Sequence, residues 1–109
     1  MTMTIWHIGV PVKETRPGMT YADDMKLWLS VPGEGGDEYM FEYLKFEEGG
    51  PFPEVMHRTP HVAYKVDDAQ KYIDEADELV FDTGVGDDGG RMAFVFKDGI
   101  LLELYQDAK

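Results

Sequence analysis

The stretch Pro60-His61-Val62-Ala63-Tyr64-Lys65-Val66 alternates as a half-buried strand does. Val62, Tyr64 and Val66 fall on one face, His61, Ala63 and Lys65 on the other. The second face sets a potential metal ligand beside a small residue, which leaves space in front of the imidazole. The same design occurs earlier, in His7-Ile8-Gly9-Val10-Pro11-Val12. There Ile8, Val10 and Val12 form the bulky face, and His7 stands beside Gly9. Two strands of one pattern point to an internal duplication with a histidine in each copy.

Downstream of His61, Asp67 reads as a helix N-cap, with Gln70 completing a capping box. Ala69, Tyr72, Ile73 and Ala76 recur at helical spacing, which predicts an amphipathic helix from Asp67 to about Asp77. A short strand follows at 79–81, then a glycine-rich loop at 83–90. Strands at 92–96 and 100–105 are joined by Asp98-Gly99, a strong hairpin signal. The second half therefore reads β-α-β-β-β.

The first half reads as a strand at 5–12, a turn at Arg16-Pro17-Gly18, a short strand at 19–21 and a turn at Asp23-Asp24. A strand at 25–31, a Gly/Pro loop at 32–36 and a strand at 39–46 complete it. The interval from Val12 to Met25 is too short for a packed crossover helix. The first copy is thus expected to lack its helix. The predicted organisation is a single α+β domain: module one at about 1–48, a Gly/Pro-rich linker at 49–58, and module two at 59–109.

A chain of 109 residues, 43% apolar and 29% charged, suits one globular core. Its net charge of −12 argues against nucleic acid and anionic membranes, both of which recruit Lys and Arg. No apolar run is long enough to cross a bilayer, and the first residues lack the pattern of a signal peptide. With no cysteine, disulfide and thiolate chemistry are excluded, and a cytoplasmic location is the expectation.

The last strands of the two halves also match. Tyr39-Met40-Phe41-Glu42-Tyr43-Leu44 and Ile100-Leu101-Leu102-Glu103-Leu104-Tyr105 each carry one carboxylate amid apolar residues. A glutamate there is costly to bury without a cation or donor. Taken singly, each reads as a solvent-facing residue; paired with a matching histidine in both halves, they suggest a site.

With these residues in place, the sequence resembles the vicinal oxygen chelate superfamily: glyoxalase I, bleomycin- and fosfomycin-resistance proteins, methylmalonyl-CoA epimerase and extradiol dioxygenases. The resemblance is carried by IWHIGVPV and YMFEYLKF in the first half, and by PHVAYKVDD and MAFVFKDGILLELYQ in the second. It implies two facing βαβββ modules around a curved-sheet cavity, with His7, Glu42, His61 and Glu103 as ligands of a divalent metal. That two-His, two-Glu set suits Ni, Co, Zn, Mn or Fe. The implied chemistry is metal-assisted 1,2-proton transfer by a lyase, isomerase or epimerase on a small oxygenated metabolite, with Glu42 or Glu103 as the base. A dioxygenase set of His7, His61 and Glu103 and a non-catalytic, antibiotic-sequestering binder are the alternatives, beside a fold that has lost its site. The resemblance also implies a homodimer.

Other residues read as packing. Trp6 and Trp28 fit core or interface positions, and Tyr21, Tyr43 and Tyr105 fit packing before cavity lining. His57 falls in the inter-module connection. The run from Gly84 to Gly90 is flanked by acids and precedes no helix, so it is no phosphate loop and reads as a lid or plain loop.

Overall fold

A computed structural model describes residues 3–32 and 38–109. The fold is mixed α+β, with eight strands and two helices among the described residues. The chain divides into two compact units, His7–Pro60 and His61–Lys109, the latter also taking in residues 3–6.

In the C-terminal unit, β5 (His61–Val66) leads into α2 (Ala69–Glu75), then β6 (Glu78–Asp82), β7 (Arg91–Lys97) and β8 (Ile100–Gln106). The strand order is β5-β8-β7-β6, so first and last strands pair in parallel while the others pair antiparallel. A parallel pair needs a crossover, and α2 with β6 and β7 supplies it. The face of α2 predicted from the spacing is the buried one: Ala69 joins Val66, Val95 and Leu104 in a core that Tyr72, Ile73 and Ala76 pack against.

The helix starts one residue later than expected. Asp68, not Asp67, is the N-cap and accepts from Gln70 N at 3.1 Å. Gln106, arriving from β8, accepts from Ala69 N at 2.9 Å and satisfies a second free amide of the first turn. The β7–β8 turn is as predicted: Asp98 and Gly99 adopt φ of 53° and 81°, and Lys97 faces Ile100. The loop at 83–90 is tied by hydrogen bonds within itself and to the C-terminal residues. Gly86 N donates to Gly90 O, Lys109 N to Asp88 O, and the Gln106 amide to Gly89 O.

In the N-terminal unit, β1 (Met3–Pro11) is followed by β2 (Thr20–Ala22), β3 (Leu27–Leu29) and β4 (Phe41–Phe46). The order β2-β3-β4-β1, with β1 parallel to β4, repeats the topology of the other unit. Among the described residues no helix lies between β1 and β2, as the short interval required. The strands expected at 25–31 and 39–46 are shorter at their starts, since Lys26 and Met40 adopt φ of 50° and 59°. Most of the loop expected at 32–36 lies outside the described residues.

The connection at 49–58 holds a turn of helix, α1 (Glu54–Arg58), which starts after Pro53 and buries Met56. His57 on α1 stacks on Phe46, 4.4 Å between centroids and 8° from parallel, and its Nε2–H donates to Phe52 O at 3.1 Å. This short element was not visible in a segment dense in glycine and proline.

Candidate functional site

In the C-terminal unit the β5–β8 ladder sets Ala63 opposite Glu103 and His61 opposite Leu101. Opposed residues of a ladder share a face, as do residues two apart in a strand. Glu103, Ala63 and His61 therefore lie on one side. With only a methyl group at Ala63, the carboxylate reaches across it, and Glu103 Oε1 stands 3.0 Å from His61 Nε2. All three side chains are buried.

From β7, Phe94 stands opposite Glu103 and meets the His61 ring edge-on, 5.0 Å between centroids. Phe81 packs behind it. This apolar wall limits water at the pair, which strengthens any electrostatic interaction there.

The N-terminal unit repeats the arrangement. The β1–β4 ladder sets Gly9 opposite Glu42, and Ile8 N donates to Met40 O at 3.0 Å beside that register. Glu42 Oε1 lies 3.2 Å from His7 Nε2, across a glycine instead of an alanine. His7 is buried as deeply as His61. The glutamates differ: the Glu42 side chain is 16% exposed, that of Glu103 7%. β3 ends at Leu29, opposite Leu44, so it offers Glu42 no counterpart of Phe94.

Each unit thus brings together the histidine and glutamate that the sequence singled out in it. The 3.0 Å separation of His61 and Glu103 is a hydrogen bond, and the 3.2 Å separation of His7 and Glu42 is an ion-pair distance. Both also fit adjacent ligands on one ion, since donors at ~2.1 Å and near right angles lie ~3.0 Å apart. Imidazole with carboxylate is a donor set for borderline divalent metals, so the residues present fit such an ion. What the sequence did not reveal is the wall beside His61: Phe94 and Phe81 looked like ordinary strand residues.

Trp6 and Tyr105 pack together at 5.1 Å, with the Lys65 ammonium over both rings. Tyr43 carries the Arg16 guanidinium 4.1 Å above its ring. No described helix is long and apolar enough to cross a membrane.

No protein-family model matches the chain, and no curated protein matches it in sequence. Solved structures do. A hypothetical protein from Bacillus halodurans C-125 superposes with a TM-score of 0.58 at 19% identity, over 100% of this chain and 97% of its own. Methylmalonyl-CoA epimerase from Mycobacterium tuberculosis superposes with a TM-score of 0.57 at 17% identity, over 97% of this chain and 89% of its own. These likenesses establish the fold, a mixed α+β arrangement shared with the epimerase and the Bacillus protein.

Proposed function

We propose that the two histidine–glutamate pairs hold one divalent ion, and that the protein catalyses a 1,2-proton transfer on a small metabolite with adjacent oxygens. The reaction is of the isomerase or epimerase kind, with a glyoxalase-type lyase as its near variant. One observation carries the reading: the same pair occurs twice, in the same ladder register, each time across a residue with little or no side chain. A chance glutamate has no reason to recur two positions along from a buried histidine in both modules. The epimerase of like fold supports this class of reaction.

His7, Glu42, His61 and Glu103 would hold the ion, whose charge polarises a carbonyl and acidifies the neighbouring C–H when bound. Glu42 is the better base of the two carboxylates. It is the more exposed and sits at the longer contact, so its carboxylate has more room to move. Its oxygen takes the proton from one carbon and returns it to the next or to the opposite face. Glu103, enclosed by His61 and Phe94, keeps its geometry. Both carboxylates must be ionised for this division of roles.

The test is exchange of a substrate C–H proton for solvent deuterium, followed by NMR on a panel of small 2-hydroxy and 2-oxo acids and their thioesters. Metal-loaded protein should exchange at least one of them, and Glu42→Gln should stop the exchange while still binding metal. A metal-bound protein that exchanges none of them is a binder, and the catalytic reading is then wrong.

A further inference from the structure

The absent helix has a consequence on the other side of the N-terminal sheet. Trp28 stands opposite Lys45 in the β3–β4 ladder, an odd number of residues from Glu42, so it faces away from the His7–Glu42 pair. Tyr21, opposite Trp28, shares that face, with ring centroids 5.1 Å apart and planes at 49°. In the C-terminal unit the corresponding face is covered by α2. Here the rings line an open groove of about 850 Å³, within the ~300–1,000 Å³ range of small-molecule sites.

The charges around this groove are unusual for so acidic a chain. Lys13, Lys26 and Lys45 all line it, with Glu47, Glu48 and His57. Lys45 binds Glu47 at 2.7 Å, and Glu47 also accepts from the Trp28 indole N–H at 3.2 Å. Lys45 holds the Glu47 carboxyl below its ordinary range, so that carboxylate is already engaged. Glu48 is solvent-exposed. Lys13 and Lys26 have no ion-pair partner among the described residues, although acids outnumber bases 22 to 10 in the chain.

Lys26 also sits at φ 50°, a conformation in which glycine or asparagine is the usual choice. A lysine kept at a strained turn beside two aromatic rings suggests use of its charge.

We propose that this groove binds a planar aromatic anion, its ring on Trp28 and Tyr21 and its carboxylate or phosphate between Lys13 and Lys26. The site shares no residue with the His–Glu pairs and does not depend on their function.

The probe is 2-naphthoate, titrated against the full chain while the Trp6 and Trp28 indole N–H resonances are followed by NMR. Uncharged 2-naphthalenemethanol and non-planar cyclohexanecarboxylate are the controls. The proposal expects saturable shifts of the Trp28 resonance, and weaker binding of both controls. Lys13→Ala together with Lys26→Gly should weaken naphthoate roughly threefold to tenfold, and Lys97→Ala should leave it unchanged. Lys26→Gly relieves the positive φ, so that single variant should melt no lower than the parent, which separates lost charge from lost fold. Equal binding of the neutral alcohol, indifference to the two lysine changes, or shifts confined to Trp6 would overturn it.

Discussion

Glu103 stands opposite Ala63, and its carboxylate crosses that methyl group to meet His61 at 3.0 Å. The contact exists because position 63 is small, as position 9 is beside His7. A larger side chain would occupy the path. Ala63→Val should cost about 1–3 kcal/mol through overpacking at a fully buried site. It should also weaken metal binding beyond what the stability loss explains. Urea denaturation with and without added metal separates the two effects, and metal affinity equal to that of the parent would show that the path across position 63 is irrelevant.

Replacing either glutamate by glutamine keeps the volume and removes the charge. Glu103→Gln should lower metal affinity by at least the ~10–100-fold typical of losing an outer-shell partner. Glu42→Gln should lower it less, since Glu42 is the looser ligand, and should have the larger effect on proton exchange. Isothermal titration with Ni or Zn, paired with the deuterium-exchange assay, checks the order. Equal effects of both variants on both readouts would remove the distinction between them.

The Asp82–Arg91 pair adds a pH-dependent contribution to the stability of the C-terminal unit. Arg91 donates to both Asp82 oxygens, at 3.0 and 2.6 Å, and to Gln70 on α2 at 2.8 Å. The guanidinium holds the Asp82 carboxyl below its ordinary value, outweighing desolvation. A depressed carboxyl contributes stability above its unfolded pKa of ~3.9 and loses it as pH falls through the lower folded value. Asp82→Asn should therefore cost about 1.5–3 kcal/mol at neutral pH, with the gap to the parent closing below pH ~3.9. Chemical denaturation from pH 2 to 7 measures this; a gap that does not narrow as pH falls below ~3.9 contradicts it.

Helix α2 provides a test of local detail. Asp68→Ala should destabilise by about 0.5–2 kcal/mol through loss of the cap, while Asp67→Ala, whose side chain is exposed, should stay within about 0.5 kcal/mol of the parent. Thermal melts of the two variants decide between adjacent aspartates.

That pair also shows which features the sequence carried. The alternation around His61 and His7, the helix face through Tyr72 and Ile73, and the Asp98-Gly99 turn are local signals, and each reappears in the fold. The choice of Asp68 over Asp67 goes with the Gln106 side chain from β8 capping Ala69 N, a contact between residues distant in sequence. Helix α1 buries Met56 and packs His57 on Phe46, contacts that its own sequence does not announce. The strand starts at Lys26 and Met40 were hidden because neither residue advertises a positive φ. The exposure of Glu42 depends on where β3 stops, which is a matter of pairing between strands. The pairing of a histidine with a glutamate in each half was legible; what covers each pair was not.

The central claim is that two pairs make one site, and the metal content of untagged protein tests it most directly. Purified without a polyhistidine tag and dialysed against trace Ni, Co, Zn and Mn, the protein should hold about one divalent ion per chain by elemental analysis. Substituting His7 or His61 with alanine should each remove that same ion. Two ions per chain, each lost independently with its own histidine, or none at all, would contradict the account.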